Sequence, residues 1–183
     1  MGSGHPLSLG QLPRLWLLSD ERNDAVLDQG LRSFSDPIAF VFRHYHLPPA
    51  HRFARWQELR RIALAQGHLV ILADDARTAR EWGADGIYGA PLALYPHRRD
   101  LLMIATAHNM REIGQANRIG ADAVMLSPVF PTRSHPGART LGATRFRHMA
   151  RHSTVPVVAL GGMSSCTASR LDWPRWAAID GLS

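Results

Sequence analysis

Lysine is missing from this chain. All 21 of its basic residues are arginine, set against 15 carboxylates and 10 histidines, for a formal charge of +6. Without lysine there is no lysine Schiff base and no Walker-type phosphate lysine. Anion binding stays open, because guanidinium offers a rigid fork that matches phosphate oxygens. Cysteine is nearly missing too. Cys166 stands alone, which excludes an intrachain disulfide and fits a reducing compartment. No apolar run approaches the ~18 residues of a membrane helix. The first fourteen residues lack the apolar core of a secretory signal, so a cytoplasmic location with no membrane partner is expected. Nor is there a basic run: the arginines are scattered from Arg14 to Arg175 without interleaved aromatics, which argues against nucleic acid as a partner.

What is present is a 183-residue chain, 45% hydrophobic and 20% charged. That is enough for one sizeable core, and a single domain over residues 1–183 is expected. Short apolar runs recur: Leu15–Ser19, Ile38–Arg43, His68–Ala73, Asp85–Gly89, Leu101–Ala107, Asp122–Ser127, Val155–Gly162 and Trp176–Gly181. They are continuous rather than alternating, as in parallel strands buried on both faces. Between them Ala50–Gly67 and Asn109–Gly120 have helical spacing and end at glycine. The segments "WGADG" (Trp82–Gly86) and "IGADA" (Ile119–Ala123) form an internal repeat, each closing a helix and opening a strand.

Eight such units predict an α/β fold, a (β/α)₈ TIM barrel rather than an open doubly wound sheet. The chain is short for that fold, so it must be compact. Ala90–Asp100 has room for a short helix at most, and nothing after the eighth strand supplies a final helix. A missing final helix would leave an apolar strip outside the barrel, and a homo-oligomer is expected to cover it.

Active sites of such barrels sit at the C-terminal ends of the strands. The long segment "SPVFPTRSHPGARTLG" (Ser127–Gly142) follows the sixth strand. Its sixteen residues exceed the usual connection length, which marks a functional loop over the barrel mouth. Arg43–His46 end the second strand and Asp74–Asp75 the third; Thr106 and His108 follow the fifth; Thr132, Arg133, Ser134 and His135 belong to the long loop. Gly161, Gly162 and Ser164 follow the seventh strand, where bare amides entering a helix suit a phosphate. Each residue has a plainer reading. Asp74 or Asp75 serves equally as a helix cap or a metal ligand. His108 could simply satisfy a helix start, and "HYH" lacks a third ligand at a telling spacing for a metal.

These residues resemble a known family. "GADAVMLSPVFPTRSHPGARTLG", "TAHNMREIGQANRIGAD" and "PVVALGGM" are similar to signatures of thiamine phosphate synthase, and weaker likeness runs from "LWLLSDE" through "FRH" and "ADDARTAREWGADG". The superfamily also holds a thiazole tautomerase (TenI). The resemblance implies an enzyme of thiamine biosynthesis that joins a pyrimidine diphosphate to a thiazole phosphate and releases diphosphate, with Mg²⁺ as cofactor. It implies Arg43 and His108 as catalytic residues. Arg43, Thr106, Thr132, Ser134, His135, Gly161 and Gly162 would hold phosphate groups, and Asp74 would bind the metal. The alternatives are thiazole tautomerase-like proton transfer and a non-catalytic phosphate-ligand binder. Departures from the family pattern are specific. Val41 and Tyr45 replace a Gln and a Lys around Arg43; Ala73 replaces an Asn; His135 replaces a Lys; Asp180 stands where the family has a Ser. No carboxylate in Tyr88–Pro96 matches a second metal ligand, so Mg²⁺ binding is expected to be weak.

Overall fold

The computed structural model describes residues 12–132, 137 and 139–179. Eight strands form a closed barrel in sequence order, every neighbouring pair parallel. They are β1 (Leu15–Leu18), β2 (Ala39–Phe42), β3 (Leu69–Leu72), β4 (Gly86–Gly89), β5 (Leu102–Ala107), β6 (Ala123–Leu126), β7 (Val157–Leu160) and β8 (Trp176–Ala178). The helices between them are α1 (Asp24–Ser33), α2 (Pro49–Ala65), α3 (Ala76–Trp82), α4 (Pro91–Leu94), α5 (Met110–Ile119), α6 (Gly142–Ala150) and α7 (Ser165–Leu171). The predicted (β/α)₈ barrel is therefore present, and the connection after β4 is a single helical turn. Residues 180–183, on which the missing final helix turns, lie outside the described residues.

Side chains alternate across each strand. Leu17, Phe40, Phe42, Val70 and Leu72 point outward into the layer shared with the helices. Trp16, Leu18, Ala39, Val41 and Ile71 point inward. The interior is filled by matching one large side chain to small neighbours. Trp16 is fully buried, and its register partners on both sides are alanines, Ala39 and Ala177. Its indole Nε1 donates to Pro13 O at 3.0 Å, so burial leaves no donor unpaired. Gly86 follows the same logic: a Cβ there would lie 2.6 Å from Leu102 O and 2.9 Å from Ile71 Cδ1.

The repeated Gly-Ala-Asp triplet has a structural cause. Gly83 and Gly120 cap α3 and α5 in the left-handed region, with φ of 69° and 67°. The alanine amides that follow reach back to Ala79 O and Ala116 O. Asp85 then accepts from Val70 N and Asp122 from Met103 N, both at 2.8 Å. Each triplet thus ends a helix and ties the incoming strand to its neighbour.

Trp16→Ala is expected to cost about 3–5 kcal/mol, the range for emptying an aromatic site that alanine neighbours cannot refill. Urea denaturation of the variant against the parent chain measures it.

Candidate active site

The C-terminal ends of the strands surround a cavity of about 580 Å³. Its lining includes Arg43 after β2, Tyr88 and Gly89 from β4, Thr106 and His108 from and after β5, and Gly161 after β7. The described residues of the long loop contribute Ser127, Pro128, Thr132, Arg139 and Leu141 to the lining. Leu141 N donates to Pro128 O and Gly142 N to Val129 O, so the two feet of the loop are pinned together. Among the described residues no carboxylate lines this cavity, while two guanidinium groups do. That balance suits an anion.

Among the sequence-predicted site residues, Arg43, Thr106, His108, Thr132 and Gly161 converge on this space. Ser134 and His135 lie outside the described residues, as do Arg133 and Asp180. Gly162 is not part of the lining. Its Cβ would sit 2.4 Å from Pro131 O, so glycine is required there to let the long loop pass. The start of α7 is partly closed to ligands: Ser164 N donates to Thr167 Oγ1 and Thr167 N to Ser164 Oγ in a capping box. Of the turn residues expected to meet phosphate, Gly161 lines the cavity.

His108 Nδ1 lies 2.9 Å from Ser127 O, which can only accept, and 3.2 Å from Ser127 Oγ, which can do either; the shorter contact to the carbonyl favours a proton on Nδ1. In the neutral ring Nε2 then holds the lone pair. His108 N donates to Glu112 Oε2, and Asn109 caps α5 beside it. The ring itself is oriented by Ser127, and the Glu112 and Asn109 contacts fix the backbone that carries it.

Arg43 is held by a relay that the sequence reading missed. Its backbone N donates to Ser19 Oγ at 2.7 Å. The Ser19 hydroxyl lies 2.7 Å from His44 Nδ1, and His44 Nε2 lies 2.9 Å from Asp24 Oδ1. Arg55 completes the line with a 2.8 Å contact to Asp24. A Ser–His–Asp trio invites a nucleophile reading, and burial excludes it: Ser19 has 0% exposure and its oxygen already accepts from the Arg43 amide. The trio positions. It holds His44 at φ 35°, in the left-handed region that costs a non-glycine residue strain. With both ring nitrogens of His44 engaged, the "HYH" metal pair is closed as well. Burial lowers the His44 pKa, and Asp24 offsets this only in part. Desolvation opposes the Asp24 carboxylate, yet hydrogen bonds from His44 and Arg55 outweigh it and lower its pKa.

Tyr88 also escaped the sequence reading. Burial pushes its phenol up to about 12, with Arg43 opposing, so it stays a neutral hydroxyl in the cavity. The Mg²⁺ implied by the resemblance can be tested against the residues present. Asp74, the expected ligand, ends β3, but its Oδ2 pairs with Arg52 Nη1 at 2.5 Å and its Oδ1 accepts from Asp75 N. Asp75 caps α3. Among the described residues, no three His, Cys, Asp or Glu side chains converge to hold a metal. The residues of this corner do not fit the ion.

A family model described as thiamine monophosphate synthase matches residues 19–172. The chain belongs to the thiamine monophosphate synthase family. A thiamine-phosphate synthase of Chloroflexus aurantiacus is 31% identical over 150 residues, covering 78% of this chain and 67% of that protein. The one from Bacillus velezensis is 32% identical over 120 residues, with 62% of this chain and 52% of that protein covered. This family member therefore spans about half to two thirds of the length of those two relatives. In fold it is similar to a thiamine phosphate pyrophosphorylase from Pyrococcus furiosus, with a TM-score of 0.74 over 91% of this chain and 85% of that chain at 23% identity. No helix among the described residues is long and apolar enough to cross a membrane.

The relay gives stability a pH dependence with a definite sign. An unfolded His44 protonates near 6.5, and the folded one only at lower pH. Acid therefore loads protons onto the unfolded chain first, and stability falls as pH drops below 6.5. Asp24 adds a further loss at pH values below its unfolded 3.8. His44→Asn, which suits the left-handed backbone, should flatten the first of these slopes. Denaturation midpoints across pH for both chains measure the difference.

Proposed function

We propose that this protein joins a pyrimidine diphosphate to a thiazole phosphate and releases diphosphate. One observation carries the reading: Arg43 after β2 and the group Thr132, Arg139 and Gly161 from the loops after β6 and β7 line one cavity. A volume of about 580 Å³ falls within the range of small-molecule sites. The diphosphate binds at Arg43 and the thiazole phosphate at the Gly161 side. The bond between the pyrimidine methylene carbon and the diphosphate oxygen breaks, and the diphosphate leaves with the electron pair. Guanidinium groups stabilise the charge that develops on it. The carbocation left on the pyrimidine faces Tyr88 and Tyr45, whose rings attract cations, until the thiazole nitrogen lone pair closes the new bond. Shielding from water by the bordering residues Thr132, Arg139 and Leu141 protects the cation from capture. Self-association, expected from the sequence, stays part of this proposal and is tested by light scattering on the purified chain.

A second reading has its own support. The free lone pair expected on His108 Nε2 suits proton transfer on a bound thiazole phosphate. His108→Asn keeps a donor toward Ser127 O and removes that base. The test is to supply both halves and follow thiamine phosphate by mass spectrometry, with solvent deuterium uptake into the thiazole as a second channel. Product formed by the parent chain and abolished in Arg43→Ala supports joining. Deuterium uptake without product, falling about 10²–10⁴-fold in His108→Asn, would replace joining by tautomerisation. Binding with neither signal would leave a phosphate-ligand binder.

A further inference from the structure

The corner between β2, β3 and α2 contains a cation already. Arg52, on α2, extends its guanidinium under the cavity rim. Its Nη1 pairs with Asp74 Oδ2, its Nη2 donates to Ala73 O at 3.0 Å, and its Nε donates to Arg43 O at 3.1 Å. Only 12% of the Arg52 side chain is exposed, against 30% for Asp74. Aromatic rings wall it in. The guanidinium carbon is 5.4 Å from the Trp82 ring centroid, 5.7 Å from Phe42 and 5.8 Å from Tyr45. Tyr45 in turn lies 5.7 Å from the guanidinium carbon of Arg43.

We propose that Arg52 takes the place of a divalent cation here: a tethered guanidinium that neutralises Asp74 and fixes the Arg43 backbone, so that this site binds diphosphate without metal. Mg²⁺ asks for a near-octahedral oxygen shell at about 2.0–2.1 Å and is bound through carboxylates and substrate phosphates. Here the carboxylate has a resident positive partner, and the stretch after β4, Gly89–Pro96, offers no second one. An incoming ion would have to expel the guanidinium from its three acceptors and its aromatic walls. Meanwhile those three bonds do what an ion between strand ends does. They lock the end of β2 to the end of β3 and set the point from which the Arg43 side chain reaches the cavity. Arg52 is thus a positioning residue for Arg43. A planar fork suits this role better than lysine would, since two carbonyls and a carboxylate must be met at once.

The anion part of this inference rests on the proposed function, while the metal part does not. Two titrations on the full chain separate them. Mn²⁺, followed by its electron paramagnetic resonance signal, probes the corner alone, and the expected result is no site tighter than millimolar. Pyrophosphate, followed by calorimetry with chelator and then with excess Mg²⁺ (correcting for the Mg²⁺–pyrophosphate complex), should bind at least as tightly without metal. Arg52→Gln should weaken pyrophosphate about tenfold and acquire a Mg²⁺ requirement that Arg52→Gln with Asp74→Asn lacks; a merely structural loss would not create that requirement. Arg52→Lys should recover part of the affinity. A micromolar Mn²⁺ site lost in Asp74→Asn would overturn the inference. So would pyrophosphate affinity in the parent chain rising about tenfold with Mg²⁺, or unchanged affinity in Arg52→Gln. If pyrophosphate binds under no condition, the proposed function fails, and the Mn²⁺ titration still decides the metal question.

Discussion

Closing a ring of eight short strands is the constraint on which the rest of the molecule depends. Most strands contribute only four residues, so each has about two side chains to give to the interior and two to the helices. A barrel of this size has no lumen to spare, and its interior must be packed solid. Trp16 fills a disproportionate share, and the alanines beside it in both neighbouring strands are the reason it fits. Every cavity-lining residue discussed above hangs from the rim of that ring.

The rim itself is held by charge and hydrogen bonds rather than by apolar contact. Arg43 is gripped at its amide through Ser19 and at its carbonyl through Arg52. Two separate networks therefore meet on one peptide segment, the first running back through His44 and Asp24 to Arg55, the second through Asp74. Partly buried ionic groups of this kind add little net stability, since desolvation cancels much of the attraction. Their value lies in fixing where one guanidinium points. An all-arginine chain is suited to this, because arginine bridges several acceptors at once and keeps its charge when partly buried.

Much of the architecture was legible in the sequence, for reasons specific to its residues. Buried parallel strands leave uninterrupted apolar runs, and left-handed caps demand glycine, so Gly83 and Gly120 marked helix ends in advance. The position of Ser127–Gly142 after the sixth apolar run pointed the long loop to the mouth. What stayed hidden were partnerships between distant positions. Ser19, His44 and Asp24 belong to three different elements, and nothing in their spacing announces a relay. Arg52 reads as an ordinary polar residue on a helix that buries Trp56, Leu59 and Ile62. Only the fold shows it turned inward against Asp74. A double glycine has two uses, and at Gly162 the close passage of Pro131 demands glycine whether or not its amide also meets a ligand.

The seam between β1 and β8 sets the order in which the molecule can be made. β1 pairs on one side with β8, and Asn23 latches the same seam by donating to both Leu18 O and Ile179 O, the latter 156 positions away in the chain. During synthesis the first strand emerges before the other seven and its second neighbour last of the eight. Until then the growing sheet is an open ribbon with two unpaired edges, the kind of surface that recruits stray strands. Ring closure is therefore a long-range event that must wait for all eight strands, and until β8 emerges the nascent barrel stays an unclosed ribbon.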